Sequence, residues 1–493
     1  MTGTNHDLVL SGGRVVDPET RTDTVANVGI TAGRITAVDP GPITGRVILD
    51  VSGQVVCPGF IDLHSHAQGV ADHRLQALNG VTAALELEAG AYPVSLSYGQ
   101  AAAEGRPIHY GFSASWALVR MALLAGVPDR GSVHTFMGHV GEDAWQRVAS
   151  AREISRIVDT LAGELAAGGI GVGVLVGYAA DAGTDEYLAV AKAAAVAGVP
   201  TFTHARDLTE VNPNTPIDGA AEIVKAAAET GAHMHYCHVA SIYARHVDRV
   251  LDLVAKVQVE GSRVTAEAYP YGSGMTGIGA RFLAPERLAE RSLAPQSIQY
   301  LQTGRQVKDE AELRELRRRD PGGWCFIHSL RDDVPSEFAY VERALSRPGT
   351  IVATDAIPLH WRGESPDPGA WPIAPDAVTH PRTAGTYART LRLVRERQLM
   401  SLPEAIARST LLPAQVLEDS TPAMRTKGRL QVGCDADIAV FDPDTVTDRA
   451  TYAETTLPAT GFRYVLVDGT FVVRDGAIVV DAMPGRPILG RCS

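Results

Sequence analysis

Over the first fifty-odd residues, apolar and polar positions alternate between Gly, Asp and Pro turns, in DLVLSGGRVVDPETRTDTVANVGITAGRITAVDP and again in VILDVSGQVVCPG. A period of two belongs to strands with one buried face, so this stretch is predicted to be antiparallel β. The last sixty-odd residues return to the pattern in GRLQVGCDADIAVFDP and FRYVLVDGTFVVRDGAIVV. Two strand-rich ends flanking a long middle predict one small β-sandwich domain assembled from residues 1–59 and 423–493. From 60 to 422 the pattern changes to short apolar runs alternating with Ala-rich segments of helical period, as in GGIGVGVLVGYAA, DEYLAVAKAAAVAG, PTFTHARD, IDGAAEIVKAAAETG and HMHYCHVAS. That rhythm gives parallel βαβ units, and about 360 residues suffice for an eight-stranded barrel with insertions. The predicted fold is therefore α/β, a distorted (β/α)8 TIM-like barrel carrying the small β domain. One segment has no period: LHWRGESPDPGAWPIAPDAVTHPR, residues 359–382, rich in Pro and Gly and bearing Trp361 and Trp371. It is predicted to be a long ordered loop able to cover or shape an apolar ligand, and long loops in compact domains are usually functional.

Composition acts mainly by exclusion. With 45% hydrophobic and 21% charged residues among 493, the chain is an ordinary globular one. The net charge of -12 is spread along the chain, and the most basic cluster, RELRRRD at 314–320, is flanked by acids, so no nucleic-acid partner is expected. No run of eighteen apolar residues occurs, and MTGTNHDLVL lacks the basic and apolar regions of a signal peptide. A cytoplasmic protein with no membrane partner is the default expectation. Five cysteines, at 57, 237, 325, 434 and 492, show no CxxC spacing and are expected to be free thiols in a reducing compartment.

The candidate chemistry starts from AALELEAG at 83–90, where Glu86 and Glu88 interrupt a small, apolar, strand-like run. An ionised carboxylate in a buried strand is costly unless it is paired or coordinated, so the run calls for a cation. VVCPGFID leads into LHSH, and His64 and His66, two apart at a strand end, point to the same side. His204 follows PTFT, His238 follows HMHYC, and Asp355 follows TIVAT. Each lies just past an apolar run and before a helical pattern, where barrel enzymes place their catalytic groups. Singly, each has a plainer explanation: a solvated HxH, a satisfied core histidine, an Asp capping a helix. Together they predict a divalent metal site with nitrogen and oxygen ligands. Zinc suits such a set first, with manganese, cobalt or iron as alternatives.

The HSH after PGFID, the distant His204, His238 and Asp355, and GCDADIAVFDP resemble the amidohydrolase superfamily. More closely, GGIGVGVLVGY, THARD, YPYGSG, HPRTAGT and DRATY resemble its N-acyl-D-amino-acid deacylase branch, over nearly the whole chain. The resemblance implies one or two metal ions at the mouth of a distorted barrel. In that branch the strand after the HxH strand carries a Cys ligand, where this chain has LEAG. Glu88 is the candidate replacement, with Glu86 in reserve, and a carboxylate able to bridge through both oxygens implies two zinc ions. The implied reaction is attack of metal-activated hydroxide on a linear amide, with Asp355 as general base and then acid. The metal, with Tyr269 or Tyr271, would polarise the carbonyl.

In the branch a Lys two residues after the second metal-binding His and the Arg of HPR hold the substrate carboxylate. Arg382 matches the Arg, but Val239 and Ala240 follow His238, and Arg206 of THARD is the candidate to compensate. Two substrates follow as expectations: an N-acyl amino acid, or a modified peptide such as a thiazoline-containing, bottromycin-type product from which a follower segment is cut. Cyclic-amide hydrolases generally carry a carboxylated lysine, and none stands at the end of GVGVLVGYA. A non-catalytic binding barrel would have lost the ligands or the Asp, and both are present.

Overall fold

The computed structural model describes residues 5–128, 131–363, 367 and 369–491, so Cys492 and part of the 359–382 loop lie outside the described residues. The chain folds as two compact units, one of Met1–Leu85, Gln100–Gly111 and Ile351–Ile488, the other of Glu86–Gly99, Phe112–Thr350 and Leu489–Ser493.

In the first unit the two ends of the chain build one nine-stranded, mostly antiparallel sheet. The strand His6–Asp17 pairs with Thr22–Thr31 on one side and, in parallel, with Gly45–Asp50 and Val55–Pro58. Val55–Pro58 then pairs with Ile438–Phe441, which leads on to Phe462–Val467, Thr470–Arg474 and Ala477–Ile478. The alternation seen in the sequence is what makes this sheet. Leu8, Leu10, Val28, Ile30, Val56, Ile438, Val440 and Leu466 all turn one face inward to a single core. The register shifts between Leu10 and Gly13, and Gly12 there takes a φ of +76° that disfavours a side chain.

The middle of the chain supplies a nearly closed, parallel eight-stranded barrel whose strand order follows the chain: Phe60–Asp62, Val81–Ala91, His109–Ser115, Val172–Val174, Thr201–Thr203, Met234–Tyr236, Val264–Ala268 and Thr350–Val352. Several of these strands are only three residues long, which is why they read as brief apolar runs. GGIGVGVLVGYAA, expected as a strand, is one only over Val172–Val174, and Val176–Tyr178 turns into a single 3-10 turn. The glycines there are steric necessities: a Cβ on Gly173 would lie 2.3 Å from the carbonyl oxygen of Glu88 and 2.6 Å from that of Leu87.

The connecting helices carry ordinary start and stop signals. Ser150 and Glu153 form a capping box at Ala151–Ala166, and Asp218 caps Gly219–Thr230, which ends at Gly231 with positive φ. After the barrel strand Val264–Ala268, an insertion folds into a four-stranded sheet of Ser273–Gly277, Ile298–Tyr300, Arg305–Gln306 and Trp324–His328. Within the 359–382 loop, His360–Trp361 pairs with Ala377–Val378, and Trp361 and Ile373 pack on Ala71, Leu75, Leu359 and Ala384. Among the described residues no helix is long and apolar enough to cross a membrane. Cys57, Cys237, Cys325 and Cys434 are free and buried.

Candidate metal centre

In the first unit the strand Phe60–Asp62 delivers His64 and His66 into a buried position. Their Nε2 atoms lie 3.2 Å apart, and Asp355 Oδ1 lies 3.5 Å from His64 Nε2 and 3.4 Å from His66 Nε2. Ligand atoms around a tetrahedral ion with bonds of 2.0–2.1 Å are about 3.3–3.4 Å from one another. The three separations are of that size.

Asp62 ties the strand ends together. Its Oδ1 accepts the backbone N–H of His64 at 3.1 Å and of Thr354 at 3.0 Å, and the Thr354 hydroxyl donates to its other oxygen. Burial pushes the Asp62 carboxyl up to about 7, against the hydrogen bonds from Thr354 and His64. Asp355 itself sits at φ +50°, a conformation that costs a non-glycine residue strain and needs support from its surroundings. Arg382 supplies contacts on both sides of that residue: Nε donates to the Asp355 carbonyl at 2.5 Å, and Nη2 lies 2.8 Å from Oδ1. The HPR motif is the start of the helix Pro381–Arg397, with Pro381 in the first turn and the His380 ring accepting the Arg382 N–H at 3.0 Å.

In the second unit Glu88 Oε1 lies 3.1 Å from His204 Nδ1 and 2.7 Å from His238 Nε2, and those two nitrogens are 3.1 Å apart. All three residues are buried and offer one ligand atom each to a common point. Two imidazole nitrogens and a carboxylate oxygen this close together form a nitrogen and oxygen ligand set suited to a divalent cation. His238 has φ +32°, and its N–H donates to Glu267 Oε1 at 3.3 Å, while Glu267 Oε2 lies 2.9 Å from His235 Nε2. The Tyr178 ring packs 4.7 Å from that of His204, and its hydroxyl is 2.8 Å from Thr276 Oγ1.

Within the first unit His64, His66 and Asp355 come together with Arg382, and within the second Glu88, His204 and His238 come together. Glu86, in reserve, is buried and accepts the Gly90 N–H at 3.3 Å. Tyr269 has its ring 6.5 Å from that of His238, and Tyr271 is buried in the same turn. Arg206 is fully buried and engaged elsewhere: it pairs with Glu222 at 2.7 Å and donates to the carbonyls of Ala180 and Ala182 at 2.6 and 2.7 Å. Asp62, Glu267 and Tyr178 were not among the candidates. Glu267 carries the same signal as Glu88, an acid in the apolar run TAEAY.

A further His and carboxylate cluster lies in the first unit, where His109 Nε2 is 3.2 Å from Asp437 Oδ1 and 3.9 Å from Asp468. Asp437 belongs to GCDADIAVFDP. Here the cation is part of the chain: Lys427 Nζ is 2.6 Å from Asp437, 3.0 Å from Asp435 and 3.0 Å from His109. Burial works against the charged form of Asp437, yet Lys427 and His109 hold its carboxyl well below the usual range.

A model of the amidohydrolase family matches residues 121–473. Over 499 residues the chain is 28% identical to an N-acyl-D-glutamate deacylase of Alcaligenes xylosoxydans xylosoxydans, covering 94% of this chain and 93% of the relative. It is also 28% identical to a D-aminoacylase of the same organism, over 96% of this chain and 95% of the relative. Among solved structures, an N-acyl-D-glutamate deacylase from Bordetella bronchiseptica, complexed with zinc and a phosphonate mimic of the tetrahedral intermediate, superposes with a TM-score of 0.77. That match has 24% identity and covers 99% of this chain and 100% of the other.

Proposed function

The chain belongs to the amidohydrolase family, and from that premise we propose that it is an N-acyl-amino-acid deacylase, cleaving the linear amide between acyl group and amine. That it is a hydrolase of amide C–N bonds follows from its relatives; the substrate and the roles below are our reading. The observation that carries it is the convergence of Glu88, His204 and His238 on one point, each buried and each within 3.1 Å of the others.

In this reading His64, His66, Glu88, His204, His238 and Asp355 hold two divalent ions, zinc first. When bound, such an ion polarises a carbonyl and brings the pKa of a coordinated water close to 7. Asp355 takes the proton from the attacking water on its carboxylate and returns it to the leaving nitrogen, so that acid and neutral amine separate. Tyr269 or Tyr271 donates its hydroxyl to the oxygen that gains charge as water adds. Asp62 and Glu267 hold the backbones that carry His64 and His238.

A second reading, cleavage of a modified peptide, is favoured by one feature. Val239 and Ala240 follow His238, where the resemblance places a carboxylate-binding lysine. The test is turnover of zinc-loaded protein against two panels, N-acetyl, N-formyl and longer N-acyl D- and L-amino acids, and longer peptides with and without a thiazoline at the cleavage site. Release of amino acid from the first panel upholds the deacylase. Silence there with cleavage in the second replaces it by the peptide reading, and silence in both rejects the two.

A further inference from the structure

We infer that Arg382 is a positioning residue for Asp355, and that a carboxylate on the amine half of the substrate is not its ligand. The inference rests on the reading of Asp355 as the proton-transfer group.

Three observations point this way. The Arg382 side chain is 0% exposed, so its guanidinium presents no surface to an incoming carboxylate, whereas bidentate recognition needs an open edge with two N–H groups. Two of its contacts reach one residue from two directions: Nε holds the Asp355 carbonyl at 2.5 Å, and Nη2 meets Oδ1 at 2.8 Å. Backbone and side chain of Asp355 are thereby fixed together. Asp355 also needs such fixing, because its φ of +50° is a conformation that a non-glycine residue keeps only when its surroundings impose it.

The helix that carries Arg382 is built for the task. Its first turn is locked by the His380 ring, which accepts the Arg382 N–H at 3.0 Å. One residue further on, Thr383 Oγ1 accepts the Ile357 N–H at 2.9 Å, and Thr379 Oγ1 donates to the Ile357 carbonyl at 2.5 Å. The start of this helix therefore grips the segment Asp355–Ile357 at three points, and Arg382 is the one that reaches the carboxylate. With Val239 and Ala240 in place of a second cation, a two-armed carboxylate clamp has neither arm here.

The consequence concerns specificity: loss of Arg382 should slow acid and neutral substrates alike. The experiment compares wild type, Arg382→Lys and Arg382→Ala on N-acetyl-D-methionine and its carboxamide, with crystal structures of wild type and Arg382→Lys. On the inference, kcat falls about 10²-fold on both substrates with KM nearly unchanged, Arg382→Lys retains part of the rate, and its crystal structure shows Asp355 turned from its wild-type position. A KM that rises for the acid alone, or an Asp355 unmoved in Arg382→Lys, overturns it. If wild type releases amine from neither substrate, the deacylase reading is what suffers, and the pair of crystal structures still decides the role of Arg382.

Discussion

Two of this protein's clusters of histidine and carboxylate solve the same electrostatic problem in different ways. Around His109, Asp437 and Asp468 the positive charge is covalently part of the chain, since Lys427 lies within 3.0 Å of Asp437, Asp435 and His109. Around Glu88, His204 and His238 a carboxylate faces two imidazole nitrogens at 3.1 and 2.7 Å. Proximity of metal-ligating side chains is therefore a poor criterion for a metal site, and charge is a better one. A carboxylate with an ammonium beside it is already satisfied, whereas one aimed at imidazoles, whose lone pairs are ligands, is suited to an ion that arrives from solution.

The contrast is most directly broken by substitution on each side. His238→Ala should reduce amide hydrolysis to background and lower the zinc content measured by elemental analysis, and a variant with full turnover would remove His238 from the site. Lys427→Met should do the reverse. Zinc content should stay at the wild-type value, while loss of one partner from a buried ion pair costs about 3–5 kcal/mol of unfolding free energy, read from urea denaturation.

The pH dependence of that loss sharpens the point. Burial opposes both charges, but Asp435 and Asp437 raise the Lys427 pKa above 10.5, and Lys427 and His109 lower that of Asp437 below 3.8. The lysine's contribution is complete below its unfolded pKa, and that of the aspartate is complete above its own. The stability difference between wild type and Lys427→Met should therefore be level between about pH 5 and 9 and shrink on acidification below about pH 4. A difference that varies steeply near neutrality would implicate another group. The smallest effect on catalysis is expected at Arg206, whose N–H groups are spent on Glu222 and backbone carbonyls. Arg206→Lys should leave KM unchanged and cost about 1–3 kcal/mol of stability through unmet hydrogen bonds.

Which parts of this were legible in the sequence follows from the range of the interactions involved. The sheet of the two chain ends was legible because one buried face imposes a period of two, visible in Val28–Ile30 and Ile438–Val440 alike. The barrel was legible because its strands are buried on both faces and flanked by helices with strong caps. Its strand lengths were not, since Val172–Val174 ends where Gly173 must pass close to Glu88, a contact across 85 positions of chain. Glu88 stood out as a charge in an apolar run. Glu267 stands in a similar run, beside Tyr269 and Tyr271 of the more specific motif YPYGSG. Asp62 gave no signal, because its role is to accept the N–H of Thr354 from almost three hundred residues away. Arg206 and Arg382 both look like ligands for a carboxylate when read by motif, and only packing shows that each is fully buried. The same is true of Lys427, an unremarkable lysine in KGRL until it is placed beside Asp437.

The zinc content of wild type and Glu88→Ala, loaded and dialysed side by side, is the decisive measurement. Two ions in wild type, with at least one lost together with turnover in Glu88→Ala, is the expected result. A Glu88→Ala protein that keeps the full complement of zinc and its activity would show that Glu88 is not a ligand, and the metal centre described around it would have to be abandoned.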